Sequence, residues 1–120
     1  MAFHYILGNL LANNERAAGV LFLDGTGEAV DYACAAFTPY DMRVLGAYLG
    51  IYLRQLERFL AGNDMGAPRI VHIEKKAAHI YAIPLPDGYC LALVQHQPGL
   101  VGHARLSLVE AADQLRRELF

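Results

Sequence analysis

Phe3, Ile6, Leu7, Leu10 and Leu11 recur at helical spacing and halt at Asn13-Asn14, which predicts a first helix over about residues 3–13. From Gly19 the pattern changes to two short apolar runs on either side of Asp24-Gly25-Thr26-Gly27, a hairpin whose glycines supply the positive φ of the turn. Thr38-Pro39-Tyr40-Asp41 then combines an N-cap hydroxyl, a proline at the first helical position and an acid at the third. A second helix therefore starts there and runs to about Ala61, where Gly62-Asn63-Asp64 and a loop through Pro68 end it.

Three more runs read as strands: Arg69 to Lys76, Ala78 to Leu85 and Tyr89 to His96, the last two joined by a Pro86-Asp87-Gly88 turn. After Gln97-Pro98-Gly99, apolar residues at Val101, Ala104, Leu108, Ala112, Leu115 and Leu119 predict a closing helix, with Arg116-Arg117 where the helix dipole favours cations. The expected fold is α+β, a two-layer sandwich in which a five-stranded, mostly antiparallel sheet carries three helices in the order αββαβββα. With no internal repeat or linker, residues 1–120 read as a single domain.

The second helix asks for more cover than one sheet can provide. At about 100° per residue, Met42, Val44, Leu45, Tyr48, Leu49, Ile51, Tyr52, Leu53, Leu56, Phe59 and Leu60 occupy roughly 200° of its circumference. Val44, Tyr48 and Ile51 form a stripe beyond the sheet-facing side, and a second copy of the helix is the economical cover. Loops or the first helix are the alternative. The remaining sector holds Arg43, Ala47, Arg54, Glu57 and Arg58, with Gly46 and Gly50 as flat spots, and suits a solvated or a docking face. Composition agrees: 55% hydrophobic against 18% charged residues is apolar for a chain of 120, so some of its surface is expected to lie under another chain.

A formal net charge of −2 without a basic run gives no footprint for nucleic acid or an anionic membrane. No apolar run is long enough to span a bilayer, and the first residues lack a basic leader, so a cytoplasmic chain is expected. Cys34 and Cys90 stand alone in strand-like runs and read as buried free thiols.

Asp24-Gly25-Thr26-Gly27 also invites a phosphate-handling reading. A D-x-D-G-T phosphatase would need a nucleophilic aspartate two residues before Asp24, where Phe22 stands; an actin-like D-x-G-T motif is mis-spaced, and a Walker loop is absent. His72, His79, His96 and His103 have no i,i+2 or i,i+4 spacing and no acid or cysteine cluster beside them, so they read as scattered strand histidines. The expectation is a protein with no catalytic site, cofactor or metal of its own.

Three segments resemble the Roadblock family, the dynein-light-chain and MglB-like proteins. Ala17 to Val30, "AAGVLFLDGTGEAV", is similar to the family's opening hairpin, and His79 to Gln95, "HIYAIPLPDGYCLALVQ", to its fourth and fifth strands. Leu100 to Leu119 resembles the start of its last helix, with Gly102 and Arg105 matching an N-L-G-x-x-R pattern, Val101 at the Leu position and Leu100 at the Asn position. The resemblance implies a homodimer in which the second helices lie side by side and the third strands pair edge to edge, engaging Val44, Tyr48, Ile51, Tyr52, Val71 and Ile73. It further implies a scaffold or regulator of a small Ras-like GTPase, including GTPase activation, with Arg43, Ala47, Arg54, Glu57 and Arg58 as the partner-binding face. A structural adaptor indifferent to nucleotide, and a small-molecule sensor on a similar fold, are the alternatives.

Overall fold

The computed structural model describes residues 3–97 and 99–120; of the expected Gln97-Pro98-Gly99 loop, Pro98 lies outside them. The elements are α1 (His4–Ala12), β1 (Ala17–Leu23), β2 (Ala29–Cys34), α2 (Pro39–Leu60), β3 (Val71–Glu74), β4 (Ala78–Pro84), a short 3-10 turn (Pro86–Gly88), β5 (Cys90–His96) and α3 (Val101–Leu119). They follow the αββαβββα order of the sequence reading. The five strands form one sheet in the order β2-β1-β5-β4-β3, with every neighbouring pair antiparallel.

Helices cover both faces of this sheet, so the expected two layers become three. Val20, Phe22, Tyr81, Ile83, Leu91 and Leu93 pack with α1 and α3, through Ile6, Leu7, Leu10, Ala104, Leu108, Ala112 and Leu115. Leu21, Leu23, Ala82, Cys90 and Ala92 face the other way and pack under Met42, Leu49 and Leu53 of α2. The physical reason stands in β1, whose seven residues are all buried. An unbroken apolar run marks a strand covered on both faces, whereas an open face would demand alternation with polar residues.

The β1–β2 turn is built by Asp24. Its Oδ1 accepts hydrogen bonds from the Thr26 amide at 2.8 Å, the Thr26 hydroxyl at 2.7 Å and the Glu28 amide at 3.1 Å. Those bonds hold the Asp24 carboxyl below its ordinary range, the Thr26 hydroxyl contributing most. Gly27 takes the positive φ, at 87°, while Gly25 does not need one. The stretch is thus a turn stabilised by its own aspartate.

Two boundaries move. The strand expected over Arg69–Lys76 shortens to Val71–Glu74, because the Lys75 amide donates to the Ala78 carbonyl at 2.8 Å and closes the turn into β4. Lys75 and Lys76 therefore sit in that turn. At α3, Leu100 is the N-cap residue and makes no side-chain cap bond, the consequence of leucine in place of a capping residue. Leu119, expected on the apolar stripe, is exposed near the end of the helix.

Candidate interaction surface

α2 starts as the sequence requires. The Asp41 amide donates to Thr38 Oγ1 at 3.1 Å and the Thr38 amide donates to Asp41 Oδ2 at 3.0 Å, a complete capping box with Pro39 in the first turn. Glycines then seat the helix. A Cβ on Gly46 would stand 2.7 Å from Leu23 Cδ2, and one on Gly50 would stand 2.8 Å from the Gly27 Cα. These two residues are buried against β1 and the hairpin turn; they are not the outward flat spots expected of them, because the helix approaches closest where side chains are missing. Arg54 Nη1 donates to the Gly25 carbonyl at 3.1 Å and ties the next turn of α2 to the same hairpin.

The opposite side of α2 is apolar and open. Tyr48 is 72% exposed, Phe59 74% and Ile51 47%, and Val44 and Tyr52 are also exposed. Helix α1 cannot shield them, since it packs on the far face of the sheet. Flanking this stripe, Arg43, Ala47, Arg54, Glu57 and Arg58 are all exposed. Of the three arginines, Arg54 alone has its guanidinium fixed by a hydrogen bond to the fold among the described residues.

β3 is an outer strand of the sheet. Val71 and Ile73 are half-buried on its α2 side, Val71 packing against the cluster beneath that helix, while His72 and Glu74 alternate onto the other side and are exposed. The residues expected at a dimer interface therefore lie on one side of the sheet, four on α2 and two on the β3 edge.

One juxtaposition was not read from the sequence. His72 Nε2 lies 2.8 Å from His79 Nδ1, so two of the histidines expected to be scattered are hydrogen-bonded neighbours. The register shows why: His72 stands opposite Tyr81 and Glu74 opposite His79, which makes the two histidines diagonal partners across β3 and β4. The His72 ring stacks on Tyr81 with centroids 4.5 Å apart, and the Tyr81 hydroxyl donates to Gln95 Oε1 at 2.9 Å. Desolvation, followed by the neighbouring His79, pushes the His72 pKa below its usual value. Among the described residues, no group of three or more His, Cys, Asp or Glu side chains within the chain is arranged to hold a metal ion.

Cys90 is buried at the start of β5, and burial pushes its thiol up to about 12. It lines, with Arg54, Glu57, Asp87 and Tyr89, an open cleft of about 280 Å³ between α2 and the turns of the sheet. A thiol held protonated there is poorly suited to act as a nucleophile. No described helix is long and apolar enough to cross a membrane.

No family model matches the sequence, and no curated protein matches it. Solved structures do match. MglB of Myxococcus xanthus is 14% identical with a TM-score of 0.88, over 98% of this chain and 94% of that one. A Roadblock/LC7 domain of Streptomyces avermitilis is 14% identical with a TM-score of 0.85, over 97% and 96%. MglC of Myxococcus xanthus is 25% identical with a TM-score of 0.73, over 99% and 100%. Element order, sheet topology and these superpositions agree: the chain has the Roadblock fold over nearly its whole length.

Proposed function

We propose that two copies of the chain pair through α2 and the β3 edge, and that the paired α2 helices bind and regulate a small Ras-like GTPase. The observation that carries this reading is the open apolar stripe of Val44, Tyr48, Ile51, Tyr52 and Phe59 on a helix already seated on its sheet. A large apolar side chain moved fully from water to an interface gains roughly 1.5–3 kcal/mol, and these side chains would recover a part of that against a sister helix. The β3 edge, with its ladder groups facing outward, favours the same pairing.

The GTPase enters through the likeness to MglB and MglC and through the Roadblock family's usual work. The protein supplies a platform, and hydrolysis, where stimulated, proceeds with the GTPase's own residues repositioned or with an arginine offered in trans. Arg43, Arg54 and Arg58 are the candidates for contact. Arg54 is the best organised, since its bond to the Gly25 carbonyl fixes its direction before any partner arrives.

The test is recovery of a small GTPase by the tagged protein, with GDP and with a non-hydrolysable GTP analogue, beside the Arg54→Glu/Arg58→Glu double variant. Recovery in the GTP-like state, lost in the double variant, is expected. Recovery unchanged in the double variant refutes this face, and equal recovery in both nucleotide states moves the function to a structural adaptor.

A further inference from the structure

We propose that His72 and His79 of one copy, together with the residue opposite His72 in a second copy, bind a divalent transition-metal ion of the zinc class at the seam between two β3 strands. The inference rests on the β3-paired dimer of the preceding section. Within one chain the two imidazoles face each other at 2.8 Å, joined by a single proton between Nε2 and Nδ1. Replacing that proton by a zinc ion requires the nitrogens to open only to roughly 3.3 Å, the separation of two ligands each about 2.05 Å from a tetrahedral centre.

The surroundings prepare the pair for ligation. Tyr81 stacks under the His72 ring and is itself anchored by its bond to Gln95, so the imidazole is backed by a fixed plane.

The geometry of pairing supplies the missing ligand. If both α2 helices lie on one side of a continuous sheet, the two-fold axis is perpendicular to it, and β3 meets its copy antiparallel. Directly opposed residues in antiparallel strands point to the same face, so opposed positions must differ by an even number. For a strand of Val71 to Glu74, the registers that keep most of it paired are centred on His72 or on Ile73. The first sets His72 opposite His72 of the second copy; the second sets it opposite that copy's Glu74. Either places a nitrogen or carboxylate ligand on the correct face, with Cβ atoms roughly 4.5–5.5 Å apart. No third ligand joins the two histidines within a single chain among the described residues, so the site is incomplete without the second copy.

The experiment is zinc titration of the full chain after EDTA treatment and removal of the chelator, read by competition with a chromophoric chelator, alongside His72→Ala. Light scattering is recorded in EDTA and in zinc. The expected result is a dimer in zinc that takes up one or two zinc ions, with affinity at least about tenfold weaker in His72→Ala, an exposed position whose loss leaves the core intact. Equal zinc affinity in the two proteins while the EDTA-treated chain is dimeric overturns the site and leaves the dimer standing. A monomer in both EDTA and zinc overturns the pairing, and the site with it.

Discussion

Replacing Gly50 by alanine sets two effects of opposite sign against each other. In a helix interior the change favours the helix by about 1 kcal/mol. Here the new Cβ would lie 2.8 Å from the Gly27 Cα and 3.5 Å from its nitrogen, against an ordinary carbon–carbon contact of about 3.5–4.0 Å. The obstructing Cα is a backbone atom, and Gly27 holds its turn at a φ of 87°, so no side chain can rotate away. The helix must lift from the hairpin by several tenths of an ångström, loosening Leu49 and Leu53 over the sheet and lengthening the Arg54 bond to Gly25. Overpacking of this kind costs about 1–3 kcal/mol, which cancels the propensity gain and leaves Gly50→Ala with a net loss of up to about 2 kcal/mol. Gly8→Ala in α1 is the control: its Cβ meets nothing within 4 Å, and it should gain about 0.5–1 kcal/mol from propensity alone. Urea unfolding read by circular dichroism at one fixed protein concentration compares them, so that any self-association contributes equally to each protein. A Gly50→Ala protein stabilised as much as the Gly8→Ala control would refute the close helix–hairpin contact.

Two further predictions concern ionisable groups. Thiol labelling of the native protein at pH 8 should modify Cys34 and leave Cys90 protected until urea unfolds the chain, because burial keeps the Cys90 thiol protonated up to about 12; rapid labelling of both would contradict its burial. Asp24 has a folded pKa below its unfolded one, so its stabilising contribution is complete above the ordinary carboxylate range and is lost as pH falls through the folded value. Asp24→Asn should therefore flatten the loss of stability between pH 5 and acid extremes, read from urea midpoints at successive pH, and parallel profiles for the two proteins would show that the turn bonds contribute nothing.

The elements were legible because several local signals coincided in each. Thr38, Pro39 and Asp41 fixed the start of α2 through cap, ring and carboxylate, and the structure contains all three features. The third layer is also written in the sequence, in the unbroken run of β1, although the same run serves equally as one arm of a hairpin. The burial of Gly46 and Gly50 is not legible in periodicity, because the approach of β1 and the hairpin that makes glycine necessary there is a tertiary fact. The His72–His79 contact needed the β3–β4 register, which depends on where Lys75 closes the turn and so on a boundary the sequence placed two residues too late. The exposed stripe on α2, by contrast, followed from periodicity alone, because side chains that find no room on the sheet side of a helix must point elsewhere.

Sedimentation velocity on the purified chain across a micromolar concentration range, with Tyr48→Glu/Ile51→Glu beside it, tests the paired-α2 account most directly. The account predicts a particle of twice the chain mass that becomes monomeric in the double variant while its circular dichroism is retained. A parent chain that sediments as a monomer throughout, with Tyr48 and Ile51 still open to water, would contradict it.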